Sequence, residues 1–311
     1  MIVSSDCTFS SPATIRGTSD HQLSLACDIS GSGVLGFRPY ETNTTQTTAL
    51  TGDNSRFAGN IYVWSQYVTD ATPDNGQTLI FTKSECLGGA RSVFDYRAVQ
   101  IGRGCKLVAS GTMTLEAENR GFYFSQDTYF SVLDGIVTMK DPIRKSLALT
   151  KGGAGILELA GPVSFGVSGA STADQDRVFV IEEGGLGVAT PEAFGELVMT
   201  FTKDAFLAVN AEAENEDVRT FGAKSERTDA IAIPDGVLNV RIRASDEYLN
   251  THGDFSVPIC TVAPAVADAI DGKIAVARVR KHKVTVRKET VGSLVRFMAD
   301  ATPTGLTLIL R

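Results

Sequence analysis

The sequence predicts an all-β protein of the β-solenoid type, in which short strands stack in successive coils. Short apolar runs with period-2 alternation recur along the chain, each bounded by Gly, Asn or Asp, and such runs are typical of half-buried strands. Helix patterns are scarce. The segment 50–65 also resembles 159–184, because both join a Leu-x-Gly opening, a Phe-Gly or Phe-x-Gly step and a hydrophobic strand. An approximate repeat indicates an array whose units bury their apolar faces against each other.

The alternating runs predict the strands in chain order. They are 59–68, 76–84, 104–117, 129–141, 155–166, 176–189, 195–213 and 235–245. Thr, Val, Ile and Phe dominate these runs, as expected of a pleated surface. Two helical segments are predicted: a single turn at 191–197, and a short helix at 263–273 with Pro264 near its start and Gly272 at its end.

Two domains follow from this pattern, a solenoid over 1–233 and a distinct β-rich C-terminal cap over 234–311. The cap is expected to hold the helix at 263–271 and strands at 236–243, 255–261, 273–279, 283–287, 293–298 and 305–310. A cap is needed because the open end of a solenoid would otherwise pair with other chains.

The segment 146–161, SLALTKGGAGILELAG, carries the clearest motif of the chain. Together with 50–63 and 178–195 it resembles the autotransporter-associated β-strand repeats of bacterial surface and secreted proteins. The family's Leu-x-Lys-x-Gly-x-Gly pattern, its Leu-x-Leu strand and its final Gly match Leu149, Lys151, Gly153, Gly155, Leu157, Leu159 and Gly161. The resemblance covers about residues 45–215 and implies a right-handed, single-stranded parallel β-helix of the passenger type.

Composition excludes several classes of function. The chain has 311 residues, 43% hydrophobic and 21% charged, as in an ordinary folded protein, and its net charge of −7 argues against nucleic acid as a partner. No apolar run approaches the roughly 18 residues that cross a bilayer. The first residues lack the pattern of a signal peptide, and residues 234–311 are too few for a translocating barrel. From these residues alone the chain is either cytosolic or a piece of a longer secreted precursor. The resemblance to passenger-type repeats implies the second, a fragment of an extracellular or cell-surface protein that does not itself insert into a membrane.

Five cysteines lie at Cys7, Cys27, Cys86, Cys105 and Cys260, with no CxxC spacing. This argues against a zinc site. Because 20 residues separate the first two and 19 the next two, each pair could stack on adjacent coils and form a disulfide. The pattern favours small buried hydrophobic residues over two disulfides.

The glycine-rich stretch 149–161 does not have the order of a phosphate-binding loop. Lys151 precedes the glycines instead of following them, and Glu158 stands where a dinucleotide fingerprint needs Gly. Gly152, Gly153 and Gly155 instead suit a coil corner with positive φ, and Glu158 is expected to face outward. Nucleophilic catalysis lacks support as well, because His21, His252 and His282 are far apart and no Gly-x-Ser-x-Gly motif occurs.

Paired carboxylates are the main enzymatic alternative, since glycoside hydrolysis needs two of them about 5 to 9 Å apart. The candidates are Asp134, Glu158, Asp174, Asp176, Glu182 and Glu183. This alternative rests on the fold type alone, and no run of Asp residues flanked by aromatic residues supports it.

Three further segments have competing interpretations. The acidic stretch 211–219 lacks the spacing of a calcium loop and is predicted as a solvated loop. The basic run 278–289 could contact an anionic glycan, although lysines that protect an edge strand are the commoner reason for such a run. Trp64, the single tryptophan, could stack on a sugar or pack within a ladder between coils.

The sequence thus predicts a non-catalytic cell-surface or secreted module of the stalk or adhesin type. The alternative is a polysaccharide hydrolase or lyase built on the same fold. The expected partners are host or environmental glycans or surface proteins, with the chain a monomer or weakly self-associated. No catalytic, cofactor-binding or metal-binding residue is predicted, and no cofactor.

Overall fold

The computed structural model describes residues 2–3, 7–9, 13–17, 22–39, 46–65, 76–125, 127–146, 148–165 and 177–304. The chain divides into two compact units, Met1–Gly184 and Gly185–Arg311, called unit 1 and unit 2 below. No helix in the described ranges is long and apolar enough to span a membrane.

Unit 1 is built of short strands, with one 3₁₀ turn at Ser84–Leu87. The strands are β1 (Ile2–Val3), β2 (Cys7–Phe9), β3 (Ala13–Gly17), β4 (Gln22–Leu25), β5 (Ile29–Gly31), β6 (Val34–Pro39), β7 (Gln46–Leu50), β8 (Asn60–Val63), β9 (Gln77–Phe81), β10 (Asp95–Ile101), β11 (Lys106–Ala109), β12 (Met113–Leu115), β13 (Arg120–Phe124), β14 (Thr128–Val132), β15 (Ile136–Met139), β16 (Ile143–Lys145), β17 (Leu149–Gly152), β18 (Ile156–Leu159), β19 (Val163–Phe165) and β20 (Val178–Ile181).

These strands form parallel sheets whose members come from successive coils. Sheet A has the order β1-β4-β7-β9-β11-β14-β17-β20, sheet C the order β19-β16-β13-β10-β8-β6-β3, and sheet D the order β12-β15-β18, while β2 pairs with β5. From β10 onward the chain visits the three large sheets in turn, whereas β6 to β9 alternate between sheets C and A. Neighbouring strands of a sheet are therefore one coil apart and parallel. Unit 1 is therefore a parallel β-helix, which confirms the predicted fold class.

Apolar ladders fill the interior of unit 1. In sheet C the register stacks Leu35, Ile61, Val99, Phe122 and Ile143, and each is at most 2% exposed. Such ladders bury one apolar side chain per strand at about 25 cal/mol per Å² of apolar surface. The inward faces of the strands thus provide most of the stabilisation.

The coil length varies along unit 1. Val99, Phe122, Ile143 and Val163 stack in sequence at intervals of 23, 21 and 20 residues, whereas Ile61 and Val99 are 38 residues apart. The segments 50–65 and 159–184, which the sequence predicts as copies of one repeat, are not structurally equivalent. The strand of the first, β8, lies in sheet C and that of the second, β20, in sheet A, so that alignment was wrong.

Unit 2 mixes strands and helices. Its elements, with the strand that begins at the boundary, are β21 (Gly184–Val188), α1 (Glu192–Gly195), β22 (Val198–Phe201), β23 (Ala205–Asn210), α2 (Glu216–Phe221), β24 (Ala223–Lys224), β25 (Ile231–Ala232), β26 (Leu238–Arg243), α3 (Asp246–Thr251), β27 (Phe255–Val262), α4 (Pro264–Ile270), β28 (Ile274–Val276), β29 (His282–Val291) and β30 (Leu294–Pro303). The strand predicted at 305–310 lies outside the described residues.

Parallel pairing continues within unit 2 in β22–β25, β23–β26 and β26–β28. The sheet β24-β27-β30-β29 joins a parallel pair to antiparallel ones, with β29 at its edge. The predicted C-terminal helix is present as α4, with Pro264 in its first turn and Gly272 at φ +70° just beyond its end. Pro fits that first turn because its missing N–H has no intrahelical partner there.

Candidate functional site

The outer face of sheet C presents a row of polar and aromatic side chains. Tyr62, Gln100, Tyr123, Arg144 and Ser164 are in register on adjacent strands. The first four each stand between two buried neighbours on their own strand. Because successive side chains of a strand point to opposite faces, this row lies on the outer surface of unit 1.

The row begins with Tyr62 of β8, and Trp64 follows directly after that strand. The centroids of Tyr62 and Trp64 are 6.3 Å apart, with the ring planes inclined at 44°. Trp64 is 39% exposed. Packing of Trp64 in the core is therefore excluded, and its ring lies on a surface beside a second ring.

A bulge in β10 brings two further side chains to this surface. The register shifts between Asp95, which is opposite Arg120, and Val99, which is opposite Phe122. Tyr96 and Arg97 lie within this shift, and Gly121 lies across from them. A Cβ at Gly121 would be 2.7 Å from the Tyr96 Cα, so the close approach of the two chains requires glycine at this position.

Arginines and tyrosines stack on each other at the centre of the row. The guanidinium carbon of Arg97 is 5.3 Å from the Tyr96 ring centroid and 5.4 Å from that of Tyr123. That of Arg144 lies 4.6 Å from Tyr96. The two tyrosine rings meet edge to face at 6.2 Å. The buried Nε of Arg97 has no hydrogen-bond partner among the described residues.

A third arginine borders the surface. Arg91 donates from Nη1 to the Gly59 carbonyl at 2.7 Å and from Nη2 to the Oδ1 of Asn60. Its Nη2 is 3.5 Å from the Asp95 carboxylate. Burial lowers the pKa of Arg91, and the charges of Asp95 and Tyr62 oppose that shift. Asp95 also accepts a bond from the Arg97 N–H at 2.8 Å, which orients the start of the bulge.

We call this surface the aromatic–arginine face. It consists of Tyr62, Trp64, Arg91, Tyr96, Arg97, Tyr123 and Arg144. Its charged side chains are three arginines, in a chain whose net charge is −7. Aromatic and arginine side chains are enriched at the centres of binding surfaces, because they combine apolar area with directed N–H donors.

A buried ion pair supports the coil corner next to this face. Arg120 is 1% exposed and donates from Nε and Nη2 to the Asp141 Oδ2, at 2.8 and 2.7 Å. It also donates to the carbonyls of Ser84 and Gly88. Burial raises the pKa of Asp141, and Arg120 opposes that effect. The Asp141 Oδ1 accepts from the Ala117 N–H at 2.8 Å, so one charged pair links three coils.

The glycine-rich stretch forms a coil corner, as predicted, although Gly152 and Gly155 do not have the positive φ expected of them. Gly153 has φ +76° and joins β17 to β18. Lys151 is fully buried, and its ammonium donates to the carbonyls of Gly153, Gly155 and Glu183. Burial lowers the pKa of Lys151 to about 8, and the nearby Glu183 carboxylate opposes the shift. The lysine therefore serves as an internal cap for three backbone carbonyls.

Two of the candidate carboxylates, Asp134 and Glu158, accept hydrogen bonds from neighbouring residues of unit 1. Asp134 accepts from the Gly111 N–H at 2.6 Å and from Ser110 at 3.3 Å. Glu158, which the sequence predicts to face outward, is only 9% exposed, and Thr138 of the adjacent strand donates to it at 3.1 Å. Glu182 and Glu183 are exposed. Asp174 and Asp176 lie outside the described residues.

The remaining candidates also take part in local structure. His252 stacks on Tyr248, His282 faces two backbone carbonyls, and His21 lies outside the described residues. Within the described ranges, no group of three or more His, Cys, Asp or Glu residues could hold a metal ion.

The acidic stretch 211–219 and the basic run 278–289 both include regular secondary structure, helix α2 and strand β29 respectively. The acidic stretch 211–219, predicted as a solvated loop, runs into helix α2, whose N-terminus is capped by the Asn215 side chain. In the basic run 278–289, Arg287 pairs with Glu289 and Asp300, and Lys288 with Asp271. The location of β29 at a sheet edge fits the protective role of its lysines.

The cysteines are consistent with the apolar interpretation. Cys86, Cys105 and Cys260 are free and buried, and Cys27 is buried as well. Burial raises the pKa of the Cys105 and Cys260 thiols to about 12, so these thiols are unreactive at neutral pH. The register places Cys7 opposite Ile29 and not opposite Cys27.

No family model matches the chain, and no curated protein and no solved structure matches it. The class of the protein therefore follows from its own fold and surface: a parallel β-helix with an aromatic–arginine outer face.

Proposed function

We propose that the chain is a non-catalytic binding module of a secreted or cell-surface protein, of the stalk or adhesin type. The aromatic–arginine face is the observation that carries this proposal. It combines an exposed tryptophan, neighbouring tyrosines and stacked arginines on one side of unit 1.

The scaffold beneath the face supports a binding role. Its inward neighbours Ile61, Val99 and Phe122 are completely buried, so the strands that carry the face are held by the core. A rigid surface loses little conformational entropy when a ligand binds. The stacking of Arg97 and Arg144 on Tyr96 reduces the mobility of the longest side chains as well.

The expected partners are environmental or host glycans or surface proteins. Support for an extracellular location comes from the resemblance of Leu149–Gly161 to passenger-type repeats. Cleavage of a polysaccharide is the alternative activity, and a single assay distinguishes it from binding alone.

Binding without cleavage is the expected result when the full chain is incubated with a panel of plant, bacterial and animal polysaccharides. Retention is measured by affinity electrophoresis, and cleavage by reducing ends and by absorbance of unsaturated products. We expect retention on at least one polysaccharide with no new ends. Trp64→Ala should weaken that binding at least about fivefold, because stacking of an aromatic ring contributes about 1–3 kcal/mol.

The control is Leu133→Ala, which removes another exposed apolar side chain of unit 1, 48% exposed, outside the face. It should leave retention unchanged. Release of reducing ends or unsaturated products by the wild-type chain would replace this proposal with the enzymatic alternative. Equal losses in both variants would show that the face is not the binding surface.

A further inference from the structure

The aromatic–arginine face has the composition of a site for an acidic sugar polymer. We infer that its ligand is a polysaccharide rich in uronic acids, bound along the row from Tyr62 to Ser164. This inference rests on the proposed binding function and specifies the class of ligand.

The arginines of the face favour a ligand that carries carboxylates. Arg97 and Arg144 both lie over the Tyr96 ring, at 5.3 and 4.6 Å from its centroid. A guanidinium stacked on a ring keeps its N–H groups in its own plane, where they can donate in pairs to a carboxylate. The two guanidinium groups beside the Tyr96 ring therefore suit a ligand that has both a pyranose ring and a carboxylate, since the guanidinium groups can bind the carboxylate.

The available donors favour an anion over a neutral sugar. Asp95 is the neighbouring carboxylate, and its contacts with Arg91 and with the Arg97 N–H direct it toward the protein. A ligand carboxylate would therefore meet cationic groups on the face.

The spacing of the row argues for a polymer. Tyr62, Gln100, Tyr123, Arg144 and Ser164 occupy five adjacent strands of sheet C. At about 4.8 Å between strands, the row extends over about 19 Å. This spacing is close to the length that each sugar adds to an extended pyranose chain. A chain lying across the strands would therefore pass one strand of the row for each sugar. At the centre of the row it would meet Arg97, because Tyr123 is only 7% exposed and lies beneath that guanidinium.

Three probes at equal ionic strength test the inference on the full chain: polygalacturonate, the same polymer fully methyl-esterified, and poly-L-glutamate. We expect polygalacturonate to bind at least ten times more tightly than either of the others. The ester lacks the charge, and poly-L-glutamate lacks the pyranose ring. Raising the salt concentration should weaken polygalacturonate binding, since exposed ion pairs are screened.

Arg144→Gln should weaken polygalacturonate binding at least tenfold and leave binding of the ester unchanged. The matched control is Arg241→Gln in unit 2, where the guanidinium carbon is 3.9 Å from the Phe206 ring centroid. It makes the same charge change on another stacked arginine and should have no effect. Thermal unfolding and circular dichroism confirm that both variants are folded, and Arg97→Gln provides a second test of the face.

Five results would overturn the inference. Equal affinity for the acid and its ester would exclude acidic specificity, and equal affinity for poly-L-glutamate would show that charge alone is recognised. Equal losses in the Arg144 and Arg241 variants would place the ligand elsewhere. Retention on neutral polysaccharides but not on polygalacturonate would refute the acidic class and leave the proposed function intact, whereas retention on none would refute both.

Discussion

Replacing Asp141 with alanine is expected to destabilise unit 1 by about 3–5 kcal/mol, because it leaves the Arg120 guanidinium charged and buried without its carboxylate. The pair is at most 2% exposed on either side, so water cannot replace the missing partner. The change also removes the acceptor of the Ala117 N–H. Urea unfolding followed by tryptophan fluorescence measures the effect, since Trp64 is the single tryptophan and belongs to unit 1.

The neighbouring pair Lys140–Glu116 is a matched control. Its atoms are 2.9 Å apart, but the side chains are 50% and 61% exposed. Glu116→Ala should therefore cost less than about 1 kcal/mol. A double-mutant cycle with Arg120→Met should give a coupling of about 2 kcal/mol or more for the buried pair. A loss below 1 kcal/mol for Asp141→Ala would show that the corner does not depend on this pair.

Replacing Lys151 with methionine is expected to destabilise unit 1 by about 3 kcal/mol. Methionine fills a similar volume but leaves the carbonyls of Gly153, Gly155 and Glu183 without their donor, and buried acceptors cost about 1–3 kcal/mol each when unpaired. Part of this loss is offset, because the variant no longer buries a charge. Lys140→Met, at an exposed lysine, should change the free energy of unfolding by less than about 0.5 kcal/mol.

The same lysine predicts a pH dependence with a definite sign. Its pKa is about 8 in the folded chain, against the ordinary lysine value of 10.5. Between these two values the unfolded state binds more protons, so the free energy of unfolding contributed by Lys151 rises with pH. The rise should approach about 3 kcal/mol. Below pH 8 the contribution is constant.

The contribution of Lys151 is obtained from the free energies of unfolding of wild type and Lys151→Met, measured from pH 7 to 10.5. It is the difference between the two proteins at each pH. It should increase with pH, since other titrating groups affect both proteins equally. A flat difference would show that the ammonium is not destabilised by burial, and its three carbonyl partners would then offset the desolvation fully.

The strands of unit 1 could be predicted because the alternation of apolar and polar residues lies within each strand. In Ile156–Leu159 the inward leucines are buried as their alternation requires. The helix at Pro264–Ile270 was recognisable for the same reason, since proline and glycine mark its two ends. The acidic composition of 211–219 predicts a loop, but the structure forms helix α2 there. Asn215, a favourable N-cap, is the signal in the sequence that marks the start of this helix.

The candidate site could not be predicted, because it depends on the register between coils. Arg97 and Arg144 both contact Tyr96 although 47 positions separate them in the sequence. Arg120 meets Asp141 one coil later. Variable coil lengths, such as the 38 residues between Ile61 and Val99, prevent a fixed repeat from aligning these residues. Of the residues of this face, the sequence indicates only Trp64 as a candidate for ligand contact.

Hydroxyl-radical footprinting with saturating polygalacturonate tests most directly whether the aromatic–arginine face binds the ligand. Oxidation of Tyr62, Trp64 and Tyr96 should fall at least threefold when the polymer is present, while oxidation of Leu133 in unit 1 and Tyr248 in unit 2 should not change. Unchanged oxidation of Trp64 under conditions where the polymer is bound would contradict the assignment of this face.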